Sequence, residues 1–326
     1  MAYLQIGLLL LSGLVLFLFA LNYLSEGLRA ISGDKLQGWL RKFTRNIMTG
    51  ILTGVVVTTL LDSSSAVIIM TIALVNTRAL TFRQAVGIVL GANIGTTFSS
   101  ELIAFDIGRW AGVPMALGFG LMFLSRREAL AQWGQVLLGF GMLFLGLFLM
   151  EEAVQPLKHL PQVVEWMKGL ADPVRGALTG AGVTVLLQSS SATVGMAVVL
   201  SGQNLLTLAA GIALMMGAEL GTCADTLVAS IGRSRAAIRT GLFHLLFNVL
   251  SIVAGLLLIE PFTELVRQVS GPAPAGRQLA NAHVLFNVFG VVLVAPFAAL
   301  VAGRLERWVP DRPTTARPVA LTSEQN

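Results

Sequence analysis

Residues 50–66 read GILTGVVVTTLLDSSSA, and residues 176–192 read GALTGAGVTVLLQSSSA. The offset is 126, and it holds without a gap as far as GANIGTT at 91–97 against GAELGTC at 217–223. About twenty of these forty-eight positions are identical. Apolar sequence gives scattered Leu and Val matches by chance. It does not align Gly, Thr, Gly, Thr, Ser, Ser, Ser and then Gly, Ala, Gly, Thr in one register. The chain therefore contains an internal repeat. Each copy interrupts a long apolar stretch, about 46–76 or 172–202, with a central polar cluster: Asp62-Ser63-Ser64-Ser65 or Gln188-Ser189-Ser190-Ser191.

Composition says what surrounds these stretches. The 326 residues are 55% hydrophobic and 12% charged, against roughly 25% charged in a soluble domain. Mean hydropathy is +0.78. Lipid replaces water around most of such a surface. The net charge of +5 does not make a nucleic-acid binder, because the bases lie between apolar spans and not in one patch. The single cysteine, Cys223, excludes an intramolecular disulfide framework. Residues 1–24 have no basic n-region and are expected to be an uncleaved first span.

In lipid each crossing must be a helix, because backbone groups find no water there. Full crossings are expected at about 4–24, 84–105, 110–125, 129–150, 208–230, 240–258 and 281–303. An interrupted stretch of about 31 residues would run roughly 46 Å as one helix, too long for a core of about 30 Å. Two half-helices meeting at the polar cluster fit as a re-entrant hairpin. The charges agree. With hairpins, Arg29, Lys35, Arg41, Lys42, Arg45, Arg78, Arg83, Arg126, Arg127, Arg233, Arg235 and Arg239 share one face with the C-terminal tail. Glu101, Asp106, Glu151, Glu152, Glu165, Asp172, Glu260 and Glu264 fall on the other. That is a positive-inside pattern, with the N-terminus outside and the C-terminus in the cytoplasm.

The offset of 126 lays span 4–24 on span 129–150. Each repeat then holds three crossings and a hairpin. Three is odd, so the second copy must sit upside down. The loops concur: 25–49 has five bases and two acids, and its mate 151–175 has three bases and four acids. The expected fold is an all-α integral membrane protein with two inverted-topology repeats and one extra C-terminal span. Repeat 1 covers 1–126, repeat 2 covers 127–258, a loop and last span cover 259–308, and 309–326 is expected to be a disordered cytoplasmic tail.

Inverted repeats with broken segments at matching positions point to a transport site. Half-helix N-termini suit an anion, and half-helix carbonyls with hydroxyls suit a hard cation. Ser63, Ser64, Ser65, Gln188, Ser189, Ser190 and Ser191 are the substrate-binding candidates. Asp62, Asn93, Thr96, Glu219 and Thr222 are the cation-binding candidates. Asp62 and Glu219 are ionisable at membrane depth, which is costly and marks function. The competing reading, that Ser and Thr only join helices by hydrogen bonds, explains a lone serine better than two triplets at matched breaks. His244 and His283 lie in HLLFN (244–248) and HVLFN (283–287). Without a Cys or carboxylate cluster, interhelical hydrogen bonding is their expected role. Trp110, Trp133 and Trp308 fit interfacial anchors near span ends.

The paired T-G…T…[QD]-S-S-S-A blocks, GANIGTT and the two HxLFN segments together resemble the sodium-dependent phosphate cotransporter family, the type II group and its bacterial relatives. The resemblance covers about residues 5–303. It implies inorganic phosphate as substrate, Na⁺ as coupling ion, no other cofactor, and phosphate and sodium contacts at Gln188, Ser189, Ser190, Ser191, Ser63, Ser64, Ser65, Asn93 and Thr96. The family usually has Gln where Asp62 stands and Asn where Glu219 stands. Two added carboxylates beside a phosphate dianion repel it unless protonated or neutralised by cations. The family's PhoU-like cytoplasmic domain is not expected here. The expected function is sodium-coupled phosphate symport in the cell (inner) membrane, with midplane binding and alternating access. The alternative is another small anion, or proton coupling through Asp62 and Glu219. An enzyme finds no support, because no nucleophile–base pair or metal constellation is present, and without a Walker motif no ATP site is visible. A scaffold does not explain the mirrored polar breaks.

Overall fold

The computed structural model describes residues 2–32, 35–105 and 107–311. Sixteen α-helices and no strand occur among them. The helices are α1 Ala2–Ser32, α2 Lys35–Phe43, α3 Ile47–Leu61, α4 Ser64–Asn76, α5 Phe82–Gly95, α6 Thr97–Ile103, α7 Gly112–Leu124 and α8 Glu128–Val154. They continue as α9 Pro161–Gly169, α10 Pro173–Leu187, α11 Ser190–Gly202, α12 Leu208–Ser230, α13 Arg235–Leu257, α14 Ile259–Ser270, α15 Ala275–Val294 and α16 Ala298–Trp308. The chain is all-helical.

The offset of 126 reappears in the helix ends. Both ends of α2, α3 and α4 match those of α9, α10 and α11, and the start of α5 matches that of α12. The cause is local. Asn46 and Asp172 each cap the following helix through a side-chain oxygen, on Thr49 N and Arg175 N. Thr81 and Thr207 do the same on Gln84 N and Ala210 N. Among the described residues four that are not glycine have positive φ: Asp62 at 52°, Arg78 at 61°, Gln188 at 55° and Asn204 at 58°. They form two pairs 126 apart.

Packing repeats as well. α3 lies so close to α5, and α10 to α12, that only glycine fits between them. A Cβ on Gly54 would stand 2.4 Å from Ile88 O, and one on Gly180 2.0 Å from Leu214 O. A Cβ on Gly91 would stand 2.0 Å from Ile51 O, and one on Gly217 1.8 Å from Ala177 O. The first helices of the copies, α1 and α8, run antiparallel. Gly13 meets Gly146 and Met150, and Gly27 meets Gln135 and Val136.

Two apolar clusters fill the interior. One gathers Phe17, Phe144, Met215 and Leu279, and the other Leu40, Ile68, Ile88 and Phe243. The second includes Ala302 and Leu305 of α16, so the C-terminal helix packs on the first repeat. Outside the clusters, Arg83 donates to Glu306 at 3.2 and 3.0 Å. Arg83 is exposed and Glu306 half-buried, so the pair contributes little and is screened by salt. Glu306→Gln is accordingly expected to leave thermal stability at neutral pH nearly unchanged, and unchanged altogether in acid or high salt.

Three expectations change. Seven crossings were expected, but six helical stretches among the described residues are long and apolar enough: Leu4–Ile31, Phe82–Ile103, Glu128–His159, Leu208–Ser230, Arg235–Leu257 and Ala275–Trp308. The expected span 110–125 becomes α7, whose 13 residues make about 20 Å. Residues 259–270, expected in a loop, form the amphipathic α14, which buries Ile259, Thr263 and Val266. The expected disordered tail begins ordered: Arg239 donates to Val309 O at 2.7 Å and to Asp311 Oδ1 at 2.6 Å. From residue 312 on, the tail lies outside the described residues, as does Asp106.

Candidate functional site

The two serine clusters are the same backbone device. α3 ends at Asp62 in the left-handed region, and Ser63 then turns to extended backbone at φ −156°, ψ 104°. Its hydroxyl oxygen accepts from Ala66 N at 3.2 Å and starts α4. α10 ends at Gln188, also left-handed. Ser189 follows at φ −155°, ψ 110° and accepts from Ala192 N at 3.2 Å, starting α11. A left-handed L-residue costs roughly 1–2 kcal/mol, yet the break recurs with a different side chain at the strained position. Ser64 and Ser190 open the second helices and are buried. At each tip the first N–H groups of a half-helix face outward along a positive dipole end.

The surroundings of the tips differ. At the first, Ser99 of α6 donates to Asp62 Oδ1, and Ser65 donates to Asp225 Oδ2 of α12 at 3.4 Å. Two carboxylates thus flank this tip, one from each copy. At the second, the hydrogen bonds stay within α10, its break and α11: Gln188 donates to Val185 O at 2.6 Å, and Thr184 to Thr193 at 2.8 Å. Gln188 itself is exposed.

Asn93, Thr96, Glu219 and Thr222 are all buried. Asn93 turns its amide N–H to Val89 O, and Thr222 turns its hydroxyl to Glu219 O. The Glu219 carboxylate meets His283 Nε2 at 2.6 Å, and His283 Nδ1 meets Ser100 Oγ at 2.6 Å. His244 Nδ1 meets Thr226 Oγ1 at 2.9 Å. Both histidines therefore join helices, as expected from the sequence. Ser100 and Thr226 are themselves 126 apart, so α15 and α13 hold equivalent places on opposite copies.

Sequence reasoning missed Ser99, Ser100, Asp225 and Thr226. Extending the 126 alignment three residues past Thr97 and Cys223 pairs Ser99 with Asp225 and Ser100 with Thr226. That was the available signal.

A crevice of about 890 Å³ runs from Arg29 and Thr77 to Leu61 and Ala66, which bracket Asp62–Ser65. A smaller cavity of about 350 Å³ lies beside Glu151, Gln203 and Arg277. There Gln203 donates to Glu151 and accepts from Lys158 at 2.5 Å, while Arg277 donates to Glu101 at 2.8 Å and stacks 4.4 Å above Phe105. Chemically, the hydroxyls and helix N-termini suit an oxyanion, and Asp62 with Asp225 suits a hard cation. Among the described residues no group of three or more His, Cys, Asp or Glu could hold a metal ion.

A family model described as Na+/Pi-cotransporter matches residues 16–152 and 158–269. The chain is 30% identical over 302 residues to the protein YqeW of Bacillus subtilis, covering 92% of this chain and 97% of that one. It is 28% identical over 320 residues to a protein of Escherichia coli K12 named "Putative inorganic phosphate export protein YjbB", covering 96% of this chain and 58% of that one. A stretch of 99 residues, 29% of this chain and 14% of the other, is 34% identical to human "Sodium-dependent phosphate transport protein 2B". No solved structure matches the chain.

Proposed function

Because the chain belongs to the Na+/Pi-cotransporter family, we propose that it is a secondary transporter of inorganic phosphate coupled to Na⁺, working by alternating access. The family is one of transporters and not of enzymes. The observation that carries the reading is the recurrence of one helix break, left-handed residue then serine cap, at 62–63 and 188–189.

The copies are inverted repeats, which requires the short α7 to cross beside α8, where Gly118 meets Gly134 and Gly141 meets Met115, and each break is the tip of a re-entrant hairpin. The antiparallel packing of α1 on α8 supports this, since these helices are equivalent under the offset. Ser63–Ser65 and Ser189–Ser191, with Gln188, hold the phosphate through hydroxyls and the N–H groups of α4 and α11. The Na⁺ sits at Asp62, Ser65 and Asp225, where its charge offsets the carboxylates that would otherwise repel a dianion. The basic face is cytoplasmic, with the N-terminus outside the inner membrane and the C-terminus within. The crevice from Arg29 to the first tip is then an inward-facing access route.

Relatives carry names that speak of export and of sodium-dependent transport. Direction is thus set by the gradients imposed, and a symmetric assay measures it. In proteoliposomes, an inward Na⁺ gradient is expected to drive phosphate accumulation, and K⁺ in its place to leave only equilibration. Equal accumulation with K⁺ would remove Na⁺ from the account, and no phosphate movement in either salt would remove the substrate.

A further inference from the structure

We infer that Glu219 and His283 form a single proton-binding site that links both copies, and that its proton is carried as a coupling ion. The inference rests on the transport reading for its role, though the site itself can be tested without it.

The geometry is a chain across three helices: Ser100 of α6, His283 of α15 and Glu219 of α12, with contacts of 2.6 and 2.6 Å. All three residues are buried. Either protonation state keeps both hydrogen bonds. With a neutral ring, Nε2–H donates to Glu219 and Ser100 donates to Nδ1. With an imidazolium, Nδ1–H donates to Ser100, whose hydroxyl can accept as well as donate. The site is therefore built to gain and lose a proton without leaving a buried polar atom unpaired.

The surrounding charges decide what a lost proton costs. The carboxylate–imidazole pair holding one extra proton has no net charge. Without it, one negative charge stays buried. The groups on the packed elements do not offset that charge. On α6, Glu101 is engaged by Arg277, which lies six residues before His283 on α15. On α12, Asp225 turns to Ser65, and Cys223 is bonded to Asn248 of α13. On α13, His244 turns to Thr226, Arg239 to Asp311, and Arg235 lies more than two turns from His244. α11 and α4 carry no titratable side chain, α10 carries only Arg175, exposed at its start, and the Asp62 carboxylate turns to Ser99 of α6. On α14, Arg267 turns to Glu264, and Glu260 is exposed near its start. On α5, Arg83 turns to Glu306. A buried, uncompensated carboxylate is strongly disfavoured. The proton can leave only when water reaches the pair, which requires α15 to part from α12 and α6.

Arg277 lines the 350 Å³ cavity and, at 1.5 Å per residue, stands about 9 Å along α15 from His283. Breaking Arg277–Glu101 would connect the cavity to Ser100, the neighbour of Glu101. The corresponding histidine, His244, pairs with Thr226, so the carboxylate–imidazole arrangement between the copies is not repeated by their pseudo-symmetry.

The test has two arms. Phosphate flux is measured in proteoliposomes at fixed Na⁺ from about pH 6 to about pH 8.5, for the native chain, Glu219→Gln and His283→Gln. A one-proton step gives about a tenfold change per pH unit on its limb. That limb is expected in the native chain and absent from both variants, while the titration of phosphate itself is common to all three. Identical profiles would overturn the proposal. The second arm uses the native chain alone, in case a variant fails to fold. The chain has three histidines, so ¹⁵N spectra of the ring nitrogens, with the infrared band of protonated carboxyl, follow the pair directly. A proton lost between about pH 5 and about pH 9 supports the site, and unchanged protonation of both groups overturns it. If the native chain moves no phosphate, the transport reading fails, and this second arm still decides the proton site.

Discussion

A chain with alanine at both Ser189 and Ser190 is expected to insert, fold and move no phosphate. Ser189 caps α11 through its oxygen, and removing such a cap costs about 0.5–2 kcal/mol. That is small beside the packing of two apolar clusters. Ser190 is buried at the first position of α11, so its loss removes a hydroxyl from where the half-helix N–H groups converge. A polar solute in a water-free pocket depends on each such donor, at about 1.5–3 kcal/mol for a bond to a charged group. Losing two lowers flux by at least about a hundredfold. Glycine at Ser189 separates the roles, since it costs a cap only a few tenths of a kcal/mol. Ser189→Gly with Ser190→Ala is expected to be as inactive as the alanine pair and nearly as stable as the native chain. Transport retained by either pair would exclude the second tip from the site.

The largest stability effect is expected at Gly217. A Cβ there would lie 1.8 Å from Ala177 O and 2.6 Å from Ala177 C, both backbone atoms. No rotamer change relieves contact with backbone, so α10 and α12 must separate. Overpacking costs typically 1–3 kcal/mol, and a clash with backbone lies at or above the top of that range. Gly217→Ala is expected to lose most of its monodisperse protein after detergent extraction. Gly182 on α10 provides the contrast, because a Cβ there meets nothing within 4 Å. Alanine at Gly182 is expected to leave yield unchanged or raise stability by roughly 0.5–1 kcal/mol through helix propensity. Equal yields from the two variants would mean that α10 and α12 do not pack in this way.

These glycines show what could be read from the sequence. The repeat was visible because its signals are local: a capping Asn or Asp, a capping Thr, glycines at fixed spacing, and a serine run after a polar residue. Local signals fix helix ends, so α2–α4 and α9–α11 start and stop 126 apart. The serine tips follow from the same logic, and the break occurs between Asp62 and Ser63 as the polar cluster implied.

What escaped depends on contacts distant in the chain. The partners of Asp62 and Glu219 are Ser99, 37 residues away, and His283, 64 residues away. No periodicity specifies such a pairing. His283 looked like a helix-joining histidine, and it is one, but the carboxylate at the other end of its ring could not be inferred from HVLFN. α14 escaped for a different reason. Its apolar positions Ile259, Phe262 and Val266 are three and four apart among charged residues, a pattern for a surface helix and not for a span. α7 is shorter than hydropathy suggests, because the helix starts only at Gly112 and its 13 residues end at Leu124, before Ser125 and the arginines.

The account as a whole depends on the copies facing opposite leaflets. Lys42 on α2 and Lys168 on α9 occupy equivalent positions 126 apart, and both are exposed. The native Cys223 is buried, so it gives little background to thiol reagents. Lys42→Cys and Lys168→Cys, each labelled with a membrane-impermeant maleimide in oriented vesicles, are predicted to react from opposite sides of the bilayer. Reaction of both from the same side would contradict the inverted arrangement, and with it the shared site between the two tips.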